Sequence, residues 1–174
     1  MGSGNFCKIP KLGPVFWEKM AYPFSPVGGI LDIANQKRRN GFMEWDVLYQ
    51  AAVEALAPRR ISEDIEVGGV AAALVTDKGH VYRGICIDTA CSMGFCAEHA
   101  AIAAMLTAGE DRVEQIVAVD WARRILPPCG RCREFLLQLG NPNAQVLVAK
   151  DTAVPVKELL PWSWQEAREQ PEQA

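Results

Sequence analysis

Long runs of one residue class are missing from this 174-residue chain. No apolar run approaches the roughly 18 residues that a membrane-spanning helix needs. The first 30 residues carry scattered prolines and charges in place of the apolar core of a secretory signal. These absences predict a cytoplasmic protein without a membrane segment. Since disulfides are rare in a reducing compartment, the six cysteines favour metal or redox chemistry over structural bridges.

A strongly basic stretch is also missing, and the net charge is −3. Proteins that grip a polyphosphate chain usually carry a basic stripe. The densest basic stretches here are Lys37-Arg38-Arg39, Arg59-Arg60 and Arg123-Arg124, and each is short enough to be an ordinary solvated surface. We therefore expect a small-molecule substrate and no nucleic acid.

The length and the hydrophobic fraction of 49% favour one globular domain with a sizeable core. Residues 1–43 are rich in glycine, proline and aromatic residues, and we predict an irregular extension with a short helix near 28–37. The domain is predicted over 44–164. The polar residues 165–174 are predicted to be a frayed tail.

Within the domain, predicted strands and helices alternate after an initial hairpin, and this order predicts a mixed β-sheet with helices on both faces, an α/β fold. The Ala-rich helix 97–108 is expected to bury Ile102, Met105 and Leu106. A tight turn, Asp77-Lys78-Gly79, predicts a hairpin. The predicted helices are Glu44–Ala57, Ala97–Ala108, Cys129–Leu139 and Val156–Leu160, and the predicted strands are Val67–Thr76, His80–Ile87, Ile116–Asp120 and Ala144–Ala149.

Three cysteines at two predicted helix starts indicate a metal site. Cys96 opens one helix, and Cys129 and Cys132 open the next with the spacing Cys-x-x-Cys. Helix N-termini stabilise thiolates. Neither His80 nor His99 is suitably placed to be a fourth ligand, and three protein ligands plus water is the pattern of a catalytic zinc rather than a structural one. The cofactor predicted is Zn²⁺.

Glu98 follows Cys96 by two residues, close enough to reach the open metal position without being a ligand. A carboxylate there can take a proton from water and return it to a leaving amine. This is the pattern of the zinc-dependent deaminases. Arg131 and Arg133 flank Cys132, and one of them could offset the thiolate charge by hydrogen bonding to sulfur.

At these residues the sequence resembles the cytidine deaminase superfamily, and within it the small cytidine deaminase and blasticidin-S deaminase group. The resemblance runs from about Asp46 to Trp164 and includes the hairpin, Cys96-Ala97-Glu98, Pro128–Arg133 and Glu158–Trp164. It implies a three-layer α-β-α sandwich with about five strands. It also implies homo-oligomers, dimers or tetramers, and hydrolysis of an exocyclic amine on a pyrimidine ring.

The resemblance further implies substrate contacts. The backbone N–H of Ala97 would hold the ring carbonyl, and Trp164 would stack on the base or pack in a subunit interface. Nucleoside deaminases usually carry Asn and Glu at the end of the second strand for the sugar hydroxyls. Here Cys86 and Asp88 stand at those positions, and a thiol cannot replace an amide.

These departures leave several substrates open: a nucleoside, a blasticidin-like aminonucleoside, or a free or modified base. A non-catalytic zinc-stabilised binding protein, a deaminase of RNA or DNA, and a thiol–disulfide role for Cys129 and Cys132 are the alternative functions. The intact Glu98 argues against the first of these three, and the acidic balance argues against the second.

Overall fold

The computed structural model describes residues 38–39 and 42–169. The short helix predicted near 28–37 therefore lies outside the described residues. The elements in chain order are β1 (Arg38–Arg39), β2 (Phe42–Met43), α1 (Trp45–Ala55), β3 (Arg59–Arg60), β4 (Ile65–Thr76), β5 (Val81–Thr89), α2 (Ala97–Thr107), β6 (Val113–Asp120), α3 (Gly130–Gln138), β7 (Gln145–Ala149), β8 (Thr152–Pro155), α4 (Val156–Leu159) and α5 (Trp164–Glu169).

Strands β3 to β8 form one mixed sheet, and β1 and β2 form a separate two-stranded hairpin. The apolar strand β4 is antiparallel to both β5 and β6, and β3 pairs with its first residues. Strands β6 and β7 are parallel, and β8 runs antiparallel to β7. The predicted hairpin of β4 and β5 is confirmed, with Gly79 at φ +87 in the turn.

Strand alternation sends successive side chains of β4 to opposite faces of the sheet. Ala72 and Leu74 belong to the core cluster beneath α2 and α3. Ala71, Ala73 and Val75 belong to the cluster beneath α1. The chain is therefore a three-layer α-β-α sandwich, as predicted.

Some predicted elements were wrong in detail. Leu106 is 43% exposed, because the buried face of α2 runs through Ala101, Ile102 and Met105 instead. The strand β8 was missed, and the tail predicted to fray begins inside α5. The core also reaches back to Met43, which is buried. No helix in the described part of the chain has the length and apolar character needed to cross a membrane.

Candidate active site

The starts of α2 and α3 bring three sulfur atoms together. Cys96 is the residue immediately before α2, Cys129 immediately precedes α3, and Cys132 lies in the first turn of α3. The Sγ atoms of Cys96 and Cys129 are 3.5 Å apart, and those of Cys129 and Cys132 are 3.6 Å apart. All three lie within 4.8 Å of one another. The three predicted ligands therefore converge.

This spacing fits a tetrahedral zinc ion. Zn–S bonds of about 2.3 Å in tetrahedral geometry place sulfurs about 3.8 Å apart. Within residues 38–39 and 42–169, no histidine, aspartate or glutamate joins the three cysteines as a further ligand. Three protein ligands leave one corner of the tetrahedron for water or substrate, which is the arrangement of catalytic rather than structural zinc.

The sulfur atoms influence one another's protonation. Hydrogen bonds from the Cys132 and Cys129 thiols, and the nearby Arg131 charge, lower the pKa of Cys96 to about 7 against the opposing effect of burial. The hydrogen bond that Cys132 makes to Cys96 raises the pKa of Cys132, and burial raises it further. Two helix N-termini direct their positive ends at this cluster. Such a site releases protons when it binds a divalent metal.

Glu98 is a charged residue buried beside the cluster. It lies in the first turn of α2 and is only 6% exposed. Burial raises the pKa of its carboxyl group, although the neighbouring Cys132 thiol partly opposes this effect. A buried carboxyl group next to metal-ligating sulfurs is in a position to exchange protons with a molecule at the open corner.

The two arginines near Cys132 differ in their contacts. Arg133 donates to the backbone oxygens of Pro128 and Leu159, at 2.8 and 3.2 Å. Arg131 has one long contact, 3.5 Å to Gly94 O, and its charge acts on Cys96. Arg131 is thus the one whose charge reaches a sulfur. His99 packs edge-on against Phe135 instead of joining the cluster.

Two glycines that sequence reasoning passed over place α2 and the loop before it. A Cβ on Gly84 would lie 2.2 Å from Ala101 N, and one on Gly94 would lie 2.0 Å from Ile87 O. The helix and the loop therefore lie directly on strand β5. A glycine inside a strand pattern is the available signal for such a close approach.

The predicted substrate contacts lie on three different elements. Ala97 is the fully buried first residue of α2, and Asp88 and the buried Cys86 lie near the end of β5. Trp164 begins α5, where its indole N–H donates to Glu134 of α3 and Arg168 covers its ring at 4.9 Å. Trp164 therefore packs on the helix that carries Cys132.

Comparison with known proteins agrees with this site. The family described as the cytidine and deoxycytidylate deaminase zinc-binding region matches residues 43–148. A cytidine deaminase of Halalkalibacterium halodurans is 36% identical over 98 residues, covering 53% of this chain and 74% of the relative. One from Mycobacterium tuberculosis is 31% identical over 100 residues, covering 57% of this chain and 74% of the relative.

Solved structures agree as well. The crystal structure of cytidine deaminase from Mycobacterium leprae superimposes with a TM-score of 0.60 at 29% identity, covering 69% of this chain and 99% of that one. The enzyme from Burkholderia pseudomallei gives 0.58, also at 29% identity, covering 70% and 99%. With three sulfurs in place for zinc, the chain belongs to the cytidine deaminase superfamily and is a zinc-dependent hydrolytic deaminase.

Proposed function

We propose that this deaminase converts an aminopyrimidine nucleoside to its keto product and ammonia. The observation that carries the proposal is the buried Glu98 beside the three-sulfur cluster. Relatives named cytidine deaminase support a nucleoside substrate. A protein that only used zinc for stability would have no need of a buried carboxyl group beside the sulfur ligands.

Each residue of the site has a separate role in the proposed reaction. Cys96, Cys129 and Cys132 would hold the zinc ion, which would supply a Lewis acid to polarise water. Glu98 accepts a proton from the attacking water and delivers it to the ring nitrogen as the hydroxyl adds to the amino-bearing carbon. It then accepts the remaining proton of that hydroxyl and delivers it to the amino group, which leaves as ammonia when the C–N bond breaks and the carbonyl forms. The first-turn N–H of Ala97 has no partner within its own helix, and it donates to the ring carbonyl. Arg131 offsets the negative charge of the thiolates.

The sugar side of the substrate is assigned to the end of β5. Asp88 accepts a hydrogen bond from the sugar, with Cys86 beside it. Trp164 covers the base with its ring, which is 48% exposed and offers an aromatic face for stacking.

A blasticidin-like aminonucleoside is a second candidate substrate, favoured by one observation. Glu66 and Asp88 are cross-strand partners, so their carboxylates lie on the same face about 5 Å apart at Cβ. Neither forms an ion pair with another described residue. A protonated amine on the sugar would neutralise this pair of like charges.

We also propose a cytoplasmic homo-oligomer, a dimer or tetramer. Trp162 is 92% exposed and adopts φ +62. A bulky residue in the left-handed region is unusual, and a large exposed aromatic ring is a common anchor of protein interfaces. Sedimentation velocity of wild type and Trp162→Ala would measure the assembly.

The proposed function is tested with purified zinc-loaded protein and an ammonia-release assay. The substrates are cytidine, deoxycytidine, cytosine, blasticidin S and guanine-type bases. Glu98→Ala is expected to retain about one zinc per chain and to lose turnover by at least a hundredfold, since general acid–base catalysis contributes roughly 10²–10⁴. Zinc content is measured by elemental analysis.

The matched control is Glu158→Ala, which removes a carboxylate from the exposed side of α4 and should leave turnover unchanged. Wild-type rates in Glu98→Ala would overturn the proton-transfer role. Turnover of cytosine without turnover of cytidine would favour a free-base deaminase. Binding across the panel without ammonia release would favour the zinc-stabilised binding protein.

A further inference from the structure

The thiol of Cys86 joins two features near the active site, an irregularity in β4 and the side chain of Asp88. We propose that Cys86 is a positioning residue that holds the Asp88 carboxylate as a hydrogen-bond acceptor for the sugar of the substrate. This inference rests on the function proposed above.

The first contact of Cys86 is with a β-bulge. The register of β4 against β5 shifts between Val67 and Ala71, where Gly68 adopts φ +74. A Cβ at Gly68 would lie 2.2 Å from Ala57 O, so the bulge needs glycine there. The ladder is interrupted at this point, and the N–H of Val70 donates to the sulfur of Cys86 at 3.2 Å instead.

The second contact is with Asp88. The Cys86 thiol donates to Asp88 Oδ2 at a distance of 3.4 Å. Burial, and then the charge of Asp88, raise the pKa of Cys86 to about 12, so the sulfur keeps its proton at neutral pH. One sulfur atom therefore accepts from the backbone of β4 and donates to Asp88.

Strand alternation puts Asp88 on the face that carries the sulfur cluster. Tyr82 and Cys86 belong to the core beneath α2, and Gly84 lies directly against α2 at Ala97 and Ala101. Side chains at every second position share a face, so Asp88 follows on the same side. The loop that leads to Cys96 lies beside Asp88, since a Cβ on Gly94 would lie 3.1 Å from Asp88 Cα.

Among residues 38–39 and 42–169, the Cys86 thiol is the only side-chain group that forms a hydrogen bond with the Asp88 carboxylate. With Oδ2 engaged, Oδ1 is left to accept from the substrate. A carboxylate oriented in this way accepts hydrogen bonds and donates none. The subsite therefore selects a hydroxyl or an amine at that position of the sugar and discriminates against groups that can only accept.

A purely structural role for Cys86, closing the bulge, predicts a different result from a positioning role. Loss of a bulge contact lowers stability and leaves substrate affinity unchanged. Loss of the contact to Asp88 raises KM and leaves kcat unchanged, because the proton transfers at Glu98 are not affected. The split between KM and kcat therefore distinguishes the two roles.

The test measures steady-state kinetics of zinc-loaded wild type, Cys86→Ser and Cys86→Ala with the best nucleoside substrate. Cys86→Ala removes both contacts, and its KM should rise roughly tenfold, as expected for one lost hydrogen bond to a charged group, with kcat within twofold. Cys86→Ser retains a shorter donor, and its KM should rise about threefold. In an Asp88→Ala background, neither change should raise KM further.

The control is Cys91→Ala, which removes an exposed thiol three residues beyond Asp88 and should leave KM unchanged. An active wild type whose KM is unchanged in both Cys86 variants overturns this inference alone. If Cys86→Ala fails to fold, Cys86→Ser provides the test. Its KM should exceed that of wild type, and adding Cys86→Ser to Asp88→Ala should not raise KM further; an unchanged KM in Cys86→Ser overturns the inference. A zinc-loaded wild type that deaminates no nucleoside overturns the proposed function and this inference with it.

Discussion

The carboxylate of Glu110 lies near the β4–β5 turn and is buried there next to three polar side chains. His80 Nδ1 is 2.5 Å from Glu110 Oε1. Burial by itself would raise the pKa of Glu110, but contacts from Thr76, His80 and Tyr82 outweigh burial and lower it. The Thr76 and Tyr82 hydroxyls form no hydrogen bond of standard geometry within the described chain, so we attribute their effect to proximity.

This residue makes stability depend on pH. A carboxylate with a lowered pKa in the folded state stabilises the fold above its unfolded pKa, and the stabilisation is lost as pH falls toward the folded value. For Glu110 the loss begins below about 4.5. Glu110→Gln should therefore melt a few degrees below wild type at pH 7, and the difference between the two melting temperatures should shrink as the pH falls below about 4.5. A constant difference in calorimetry across that range would contradict this account.

At the scale of elements, helix α2 presents Cys96, Ala97 and Glu98 because its first turn lies directly on β5. The contact depends on Gly84, where an added methyl group would meet the backbone of Ala97 and Ala101 at 2.5 and 2.2 Å. Backbone atoms cannot move aside as a flexible side chain can, so any residue larger than glycine displaces the helix.

Gly84→Ala should therefore destabilise the protein by about 2–3 kcal/mol, the upper range for overpacking a core, and lower kcat at the same time because Glu98 moves with the helix. Urea denaturation and steady-state kinetics measure the two effects. Gly130→Ala, whose new methyl group meets nothing within 4 Å, is the control for stability. An unfolding free energy equal to wild type in Gly84→Ala would show that α2 can shift without cost.

Long elements were predictable and short ones were not. Strands β4 and β5 and helices α2 and α3 were predicted from long apolar stretches and the turn or stop residues that bound them, and their predicted bounds agree closely with the structure. The strands β3 and β8 have two and four residues, too few to show a period of two. Such strands form because a neighbouring strand leaves an open edge, which is a property of the assembled sheet.

At the scale of the whole molecule, the sulfur cluster ties together two helices that are separated by strand β6 in the chain. Cys96 precedes α2, and Cys129 and Cys132 belong to the start of α3. Metal binding to the folded state and not to the unfolded chain stabilises the fold by mass action. We therefore expect zinc to stabilise the folded state as well as to serve the catalytic chemistry.

Removal of zinc with a chelator, in the presence of a reductant, should lower the melting temperature by roughly 10 °C, from about 4 kcal/mol of linkage at 1,000 Kd. Added zinc should restore it. Cys91→Ser, outside the cluster, should show the same shift as wild type, whereas Cys132→Ser should melt at the low temperature with or without zinc. Equal melting temperatures for the zinc-loaded and zinc-free protein would contradict the proposed link.

The type of chemistry was readable from residue spacing alone. Cys96, Glu98, Cys129 and Cys132 lie at helix starts that local apolar patterns and nearby stop residues define, so the proposed ligand set and the proposed proton carrier follow from short-range rules. What spacing could not provide is the partner of each side chain across the sheet. The contacts of Cys86 with Val70 and Asp88 depend on the register of two strands and on a bulge.

Residue spacing also could not predict the surroundings of Leu106, Trp164 and Arg133, because these depend on how elements distant in the chain pack together. Local propensity acts through neighbours within a few residues, and it decides where helices and strands begin. Burial, charge compensation and close backbone approach act between residues that only the folded sheet brings within a few ångströms. The residues proposed for the metal chemistry therefore follow from local sequence, whereas the surroundings of the proposed substrate contacts follow from the packing of the three layers.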